Sequence, residues 1–461
     1  MRNTARDAGS ARDAESTTPA IGSSNGGAAR RELVVLMLLP AVLLGFGDVQ
    51  MSLGGRGGLA VSPLDLWSLL IAPVLVWATM MTRAATAWQR SGRWLGVYAA
   101  WAIIPMCMFP KQVDGYVIPF DFKALVPALV IYASTLAFVR RAVDLRLLVG
   151  AWLAVGVANA VLAIVQYRTG GPYPVAVSQS ALEKVAWGGE TAETLVTGFF
   201  AHPNALGQAM LPWFVVASAR ALEPGALVSR RRILLALFAV LFGAALATTF
   251  AKGPIPWAIA GVVLATNTER FIRLRRLPLL MAAWCALVIG IFAIALVMAY
   301  RFDISSLRTI LPRLEFVVVS LNLFAEHPIR ALFGGGIQLW GQYVSGSVSW
   351  EWVNAHNVYL NQALMYGAVG LCLLLGFLLS AVHEVLGSRS KDPSAPSPFP
   401  YLGAMFAVTG SYFFEPSFSN LILKDQLFLV VAFMLLAARL TTPQPSLAKF
   451  GAARWTPPLD G

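Results

Sequence analysis

The sequence predicts an all-α, polytopic membrane helical bundle of about twelve transmembrane helices, and two observations indicate this class. Hydrophobic residues make up 57% of the 461-residue chain and charged residues only 13%, roughly half the charged fraction of an ordinary soluble protein. Apolar runs of roughly 20 residues alternate with short polar breaks from Leu33 onward, as consecutive membrane spans do. The three cysteines form no CxxC pair, so neither a metal site nor a disulfide framework is indicated.

Polar segments delimit the bundle. Residues 1–32 are rich in Ser, Ala, Gly, Asp and Arg, which predicts a disordered cytoplasmic tail, and residues 441–461 form a second tail. Residues 33–300 hold nine predicted spans and residues 357–440 hold three, separated by a large loop at 301–356. The predicted spans are 33–49, 64–81, 94–109, 124–139, 146–166, 206–222, 233–249, 254–267, 278–300, 357–381, 401–415 and 425–440.

Basic residues orient these spans. With the N-terminus in the cytoplasm, the cytoplasmic segments hold 24 of the 35 Lys and Arg residues, although the two longest loops, 167–205 and 301–356, lie outside. A miscounted span would reverse every later loop and remove this bias, so both termini are predicted to be cytoplasmic. The net charge of +12 therefore reflects membrane orientation and does not indicate nucleic-acid binding.

The large outer loop contains an amphipathic stretch, which predicts helices that lie near the membrane surface. Long loops on one face of a rigid scaffold commonly carry function. The apolar positions of this stretch are Leu314, Val317, Val318, Leu321 and Leu323.

Three of the four histidines fall in the outer loops. His356 begins the tenth span, His202 precedes the sixth, and His327 lies in an Ala-Glu-His-Pro turn, while His383 follows the tenth span on the cytoplasmic side. The positive end of a helix dipole disfavours protonated imidazole, so a histidine at a helix start can act as a neutral general base. His356 is therefore the candidate base, with His327 and His202 as alternatives; the other interpretation is that these are ordinary boundary or turn residues.

Cationic side chains form a second candidate group on the outer side. Lys252 lies in a very short turn between two apolar spans, where an ammonium group without a carboxylate partner is costly. Arg301, Arg308 and Arg313 follow the ninth span, and Arg168 follows the fifth. Several such cations around one polar pocket would suit a diphosphate, because guanidinium groups match phosphate oxygens. The alternative for Lys252 is snorkelling to lipid headgroups.

Several site classes are not indicated. The sequence has no Walker loop, no GxGxxG opening a helix, and no HExxH or DxD pair on the outer side. The outer acidic residues are scattered, so a divalent-metal site is not predicted. The spans hold almost no charge, which weighs against an ion-coupled transporter.

Three segments carry motifs in a fixed order. The first motif is Gly198-Phe-Phe-Ala-His-Pro-Asn-Ala-Leu-Gly207, and the second is His356-Asn-Val-Tyr-Leu, continuing through Gly367-Ala-Val-Gly370-Leu. Between them, Pro312-Arg313-Leu-Glu315 and Glu326-His327-Pro328 suggest an Arg-led amphipathic helix followed by a His-Pro turn. Together these segments resemble the bacterial O-antigen ligase/polymerase family over about residues 195–440.

The resemblance implies a membrane-embedded glycosyltransferase of the GT-C type, which moves a glycan from a polyprenyl diphosphate carrier to an acceptor hydroxyl. It implies inversion, no metal and no cofactor, at the periplasmic face of the bacterial inner membrane. The acceptor is either another lipid-linked glycan or a different molecule such as lipid A–core or a protein. Membrane lipids and other polysaccharide assembly proteins are the remaining expected partners.

The resemblance also assigns roles to residues. Lys252 and Arg313 are expected to bind the diphosphate and His356 to be the base. Substrate contacts are further expected from Arg301, Arg308, Arg168, His202, Asn204, Asn357 and Tyr359, of which Asn357 and Tyr359 could orient His356.

The chain departs from the family pattern at two places. An Arg usually precedes the first motif, where this chain has Glu193-Thr-Leu195, and Arg168 or Lys184 is the candidate replacement. The family's Ser-Arg-Gly is replaced by Ala251-Lys252-Gly253, which keeps the charge but loses the bidentate fork. The missing Arg favours a polymerase over a ligase.

Two other classes of function stay open. A flippase or exporter of lipid-linked sugars predicts charges inside the bundle and two related halves, and neither is visible in the sequence. A non-catalytic scaffold of an envelope assembly complex would use the large loops as docking surfaces and would tolerate replacement of His356.

Overall fold

A computed structural model describes most of the helical part of the chain. The described residues are 37–44, 51–53, 59–82, 90–108, 111–113, 116–118, 120–170, 196–200, 203–223, 229–249, 253–273, 286, 290, 297, 310–335, 357–388, 396–413 and 421–441.

The described residues are predominantly helical, as predicted. The first helices are α1 (37–43), α2 (Pro63–Thr82), α3 (Arg90–Met108), α4 (Phe120–Phe138), α5 (Ala142–Thr169), α6 (Pro203–Leu222), α7 (Arg230–Thr248) and α8 (Pro254–Arg273). The later helices are α9 (Ile310–Glu326), α10 (Pro328–Phe333), α11 (Val358–Gly387), α12 (Phe399–Ser411) and α13 (Leu421–Thr441).

Two short antiparallel hairpins accompany the helices. Strands β1 (Met51–Leu53) and β2 (Leu59–Val61) connect α1 to α2, and strands β3 (Lys111–Val113) and β4 (Tyr116–Ile118) connect α3 to α4. Both lie in connections that the charge distribution assigns to the outer side. Three-residue strands are too short to show an alternating pattern, so the sequence did not indicate them.

Every predicted span except the ninth coincides with a described helix, and the ninth, 278–300, lies almost entirely outside the described residues. Among the described helices, four are long and apolar enough, by length and composition, to cross a membrane: α5, α6, α7 and α11. The protein is therefore a helical, membrane-embedded protein, and twelve crossings stay a prediction.

Aromatic side chains pack the middle of the bundle. The Trp152 ring on α5 lies 5.9 Å from the Trp213 ring on α6 and 5.7 Å from the Phe433 ring on α13. A glycine makes room for this layer, because a Cβ at Gly156 would lie only 2.7 Å from the Trp213 ring. Close van der Waals packing of this kind is the main attraction between helices in lipid, where apolar burial by itself contributes little.

The helices define two ends of the bundle. The backbone N–H of Val358 donates to the carbonyl of Tyr412 (3.0 Å), so α11 begins where α12 ends. Trp257, in the first turn of α8, packs against Gly410 in the last turn of α12. This end of the bundle, where α8 and α11 begin and α12 finishes, is called the motif end.

The opposite end is called the charged end. The guanidinium of Arg220, in the last turn of α6, lies 5.5 Å from the ring centroid of Tyr401, in the first turn of α12. Since α12 begins at the charged end, α6 finishes there and must begin at the motif end. The sequence motifs at the start of α6 and the start of α11 therefore lie at the same end of the bundle.

Candidate functional site at the motif end

The first motif opens with a tight turn at Thr197–Phe200. The backbone N–H of Phe200 donates to the carbonyl of Thr197 (2.9 Å), and Gly198 adopts φ +59°, a conformation that favours glycine. A Cβ at Gly198 would also lie 2.9 Å from Leu206 Cδ1 and 3.1 Å from Asn159 Oδ1. Glycine is thus required here by conformation and by space.

Two buried amide side chains on α5 hold this turn. Gln166 Oε1 accepts from the N–H groups of Thr197 (2.9 Å) and Gly198 (2.8 Å), and its Nε2 donates to the Gly198 carbonyl (3.2 Å). Asn159 Oδ1 accepts from the N–H of Phe199 (3.1 Å). Because both amides are 0% exposed, the first motif has a defined position against α5.

The sequence reasoning missed both amides. They lie in the predicted fifth span, seven residues apart and hence on one face of the helix. A pair of carboxamides in an apolar span is the signal that would have found them, since polar groups inside a membrane usually have a specific partner.

The second motif begins with the N-cap of α11. Asn357 Oδ1 accepts from the N–H of Leu360 (3.0 Å), as N-cap side chains do, and Asn357 Nδ2 donates to the carbonyl of Phe413 (3.4 Å). Tyr359 donates its hydroxyl to the Thr409 carbonyl (2.8 Å). These contacts attach the start of α11 to the end of α12. Substrate binding by Asn357 and Tyr359 stays a prediction.

Gly367, in the continuation of the second motif, interrupts α11. Its φ of 75° and ψ of 175° are not helical, so carbonyl groups before it lose their partners in the helix. The N–H of Gly335 donates to the Leu364 carbonyl (2.9 Å), and Trp101 Nε1 donates to the Tyr366 carbonyl (2.8 Å). The carbonyl groups that the interruption frees thus accept hydrogen bonds from the large loop on one side and from α3 on the other.

Two glycines allow the large loop to reach this interruption. A Cβ at Gly367 would overlap the carbonyl oxygen of Leu332, and a Cβ at Gly334 would overlap the carbonyl oxygen of Met365. The adjacent ring of Phe333 stacks on Trp101 with 5.7 Å between centroids. The last residues of α10 therefore dock on the backbone of α11.

The predicted amphipathic helix of the large loop is α9. Among its described side chains, Phe316, Ser320 and Leu323 are buried and share one face, whereas Val318 and Leu321 are each 56% exposed. His327 is the exposed N-cap of α10 and makes no side-chain capping bond, and Pro328 follows it at the first helical position. An exposed apolar face on α9 agrees with a helix near the membrane surface.

Some of the predicted site residues fall within the described part of the chain. Asn204 is half-buried in the first turn of α6, and Arg168 is exposed in the last turn of α5. Arg313 lies in α9, but its side chain is outside the described residues. His202, Lys252, Arg301, Arg308 and His356 are outside the described residues as well.

The described neighbours of the two principal candidates lie at the motif end. Gly253, which follows Lys252, immediately precedes α8, and Asn357, which follows His356, caps α11. Since α8 and α11 both begin at this end, Gly253 and Asn357 both lie there. Among the described residues, no group of three or more His, Cys, Asp and Glu side chains could hold a metal ion.

Comparison with known proteins adds no relative: no known family model matches the chain, and no curated protein matches it either. The function is therefore inferred from the residues and from their arrangement at the motif end.

Proposed function

We propose that the protein transfers a glycan from a polyprenyl diphosphate carrier to an acceptor hydroxyl at the periplasmic face of the bacterial inner membrane, as an O-antigen ligase or polysaccharide polymerase does. One observation supports this most strongly. Residues of the first motif, the large loop and the second motif, far apart in sequence, are brought to the motif end or docked on α11 by specific hydrogen bonds.

The chemistry needs one base and a group of cations. His356 takes the proton of the acceptor hydroxyl while the hydroxyl oxygen bonds to the anomeric carbon of the donor. The bond between that carbon and the diphosphate oxygen breaks on the opposite face, and polyprenyl diphosphate leaves with the electron pair. Its charge is already well delocalised, so it needs neutralising cations more than a proton.

The cations proposed for this role are Lys252 and Arg313, assisted by Arg301, Arg308 and Arg168. The start of α8 supports the first of these, because a 20-residue helix, with its positive end, begins two residues after Lys252. The docking of α10 on α11 supports the second, because α10 follows the helix that holds Arg313.

The start of α11 supports His356 as the base. Asn357 caps this helix and His356 directly precedes the cap, so the dipole of α11 would favour the neutral imidazole that a base requires. The bonds of Asn357 and Tyr359 to the end of α12 give the segment a rigid support.

The proposed acceptor is another lipid-linked repeat unit, which makes the protein a polymerase, because the Arg expected before the first motif is missing at Glu193–Leu195. A ligase that uses lipid A–core or a protein as acceptor shares the same donor site and the same base. Other polysaccharide assembly proteins are expected to supply the donor.

The distribution of buried charge favours an enzyme over an exporter. Among the described residues, the buried charged side chains are Asp65 and Asp425. Asp65 lies in the first turn of α2, where it accepts from the N–H of Ser62 (2.7 Å), and Asp425 is the fifth residue of α13. An exporter of charged lipids would need charged groups further along the transport path.

Reconstitution tests the proposal. The purified full-length protein in lipid nanodiscs, given a polyprenyl diphosphate-linked oligosaccharide, should release polyprenyl diphosphate and form longer carrier-linked glycans, with EDTA present. Transfer to added lipid A–core instead would identify a ligase. In sealed vesicles, movement of intact donor across the bilayer without cleavage would identify an exporter. No reaction in either format would favour the scaffold.

A further inference from the structure

Gln208 is a buried polar side chain on α6, the helix at whose start the first motif lies. It lies in the second turn of α6 and is 1% exposed. Within the described part of the chain, neither Nε2 nor Oε1 of its amide has a hydrogen-bond partner. A buried amide without partners is costly in any protein, and inside a membrane helix it usually indicates a ligand, a water molecule or a functional role.

The contacts of α6 show which way Gln208 points. Trp213 packs against Gly156 of α5, Phe214 against Gly243 of α7, and Val215 against Gly261 of α8. Three successive residues thus face three different helices, as the 100° step of an α-helix requires.

Residues seven positions apart on an α-helix face directions that differ by only about 20°. Gln208 lies seven residues before Val215, so it should face the same side of α6 as Val215 but nearer the motif end. The same seven-residue relation holds on another face of α6. Leu206 lies seven residues before Trp213 and contacts the turn at Gly198 beside α5, which is the helix that Trp213 faces.

The start of α8 lies opposite Gln208. Helices α6 and α8 both begin at the motif end and so run parallel. Seven residues before Gly261, the partner of Val215, is Pro254, the first residue of α8. By this extrapolation, which the Leu206 contact supports across Pro212, Gln208 faces the first turn of α8.

This first turn lacks donors that a helix start normally offers. Pro254 and Pro256 have no N–H, so two of the first three residues of α8 cannot donate to an anion, although the positive end of the helix dipole is retained. Asn204 lies one turn before Gln208 on the same face of α6, which extends a polar line from the motif end inward.

We propose that Gln208 is a further donor-binding residue: its Nε2–H donates to a phosphate oxygen of the lipid-linked diphosphate bound at the start of α8. The amide replaces the N–H groups that the two prolines remove. A neutral donor suits this depth, because a second buried cation would carry a larger desolvation penalty. The inference rests on the proposed function, since it assumes that a polyprenyl diphosphate binds at the motif end.

The test compares two methionine variants, because methionine keeps the length and flexibility of glutamine without its hydrogen-bonding groups. Gln208→Met is the test variant. Gln426→Met is the matched control, since Gln426 on α13 is equally buried and its amide is also unpartnered within the described residues. Gln426 lies seven residues before Phe433, whose ring is 5.7 Å from the rings of both Trp152 on α5 and Tyr401 on α12, so Gln426 is expected to face those helices and not the first turn of α8.

Binding of polyprenyl diphosphate, phosphatidic acid and inorganic pyrophosphate is measured on each full-length protein in nanodiscs of neutral lipid. Gln208→Met should bind polyprenyl diphosphate about ten- to a hundredfold more weakly, with pyrophosphate weakened in parallel, phosphatidic acid little changed and an unaltered or higher Tm. Gln426→Met should bind the donor as the native protein does.

Other results would overturn the inference. Equal weakening for phosphatidic acid would indicate a general headgroup site, and an equal loss in Gln426→Met would indicate a non-specific packing effect. A lower Tm with native donor affinity would assign Gln208 a structural role, for example through a bound water. If Gln208→Met binds donor normally and Lys252→Ala does not, only this inference fails; if the native protein binds no donor, the proposed function fails with it.

Discussion

The two ends of the bundle differ in how their polar groups are used. At the charged end, Arg220 bonds Glu223 (2.8 Å) and donates to the Ser397 carbonyl (3.0 Å), and Glu384 accepts from the N–H of Ser91 (2.7 Å). Burial raises the pKa of the Glu223 carboxyl although Arg220 opposes this shift. Arg220 and Glu384 thus bond groups on other segments of the protein, as a structural anchor requires, whereas Nε and Nη2 of Arg439 at the same end have no hydrogen-bond partner among the described residues.

At the motif end, neutral groups make the contacts that hold the two motifs. Amides on α5 hold the turn at Gly198, Asn357 and Tyr359 bond backbone carbonyls, and glycines allow the loop to touch the interrupted helix. The amide of Gln208 has no described partner. The contacts that hold the two motifs thus use neutral groups, and we expect the function of the protein to lie at this end.

The largest expected contrast between the two ends is in the accessibility of cysteines to a reagent outside the membrane. In a protein whose native cysteines Cys107, Cys285 and Cys372 are replaced, Ser178→Cys and Ser345→Cys should react with an impermeant thiol reagent in intact spheroplasts. Both positions belong to the loops assigned outside by the positive-inside rule. Ser388→Cys, just after α11 at the charged end, should react only after lysis.

Labelling of Ser388→Cys in intact cells would show that the bundle has the opposite orientation to the predicted one. Protection of either loop position would show that the span count between the two loops is wrong.

The next contrast is between the histidines of the two ends. His356→Ala should lower the rate of glycan transfer about 10²- to 10⁴-fold, because the acceptor hydroxyl loses its base, while donor binding and membrane insertion are retained. His383→Ala, exposed near the end of α11, should transfer at the native rate. The measurement is the initial rate in nanodiscs with matched donor occupancy.

Near-native transfer by His356→Ala would exclude this residue as the base. The same assay would then be applied to His327→Ala and His202→Ala.

Cations at the two ends should separate binding from stability. Lys252→Ala should weaken donor binding by about 1.5–3 kcal/mol, roughly ten- to over a hundredfold, with little change in Tm. Lys252→Arg should retain part of the affinity. Arg220→Ala should lower Tm, because it leaves Glu223 half-buried without its partner, and should leave donor affinity unchanged. Unchanged donor affinity in Lys252→Ala would favour the alternative in which Lys252 snorkels to lipid headgroups.

The sequence predicted the helices well and the contacts of the site only in part. Long apolar runs and their charged borders are local signals, so the limits of α5 and α6 were predicted within four residues and those of α11 within six. The motifs were recognised as segments, but the partners of Gly198 and Gly367 were not. Those contacts join residues about 30 to 40 positions apart or more, and no local pattern reports which carbonyl a glycine must approach.

The smallest expected effect concerns two glycines in α11, one at the interruption and one at the charged end. Gly367→Ala should destabilise the protein on the order of 1–3 kcal/mol, because alanine disfavours φ near 75° and its Cβ would overlap the Leu332 carbonyl. Gly387→Ala is the control, since no atom lies within 4 Å of a Cβ there and the change should stay within about 0.5 kcal/mol or stabilise slightly. The Tm in nanodiscs and hydrogen exchange measured by mass spectrometry report the difference.

In Gly367→Ala, the Gly335 N–H should exchange faster, because its bond to the Leu364 carbonyl depends on the loop reaching the interruption. Native protection of that N–H in Gly367→Ala would show that the large loop docks on α11 independently of the interruption.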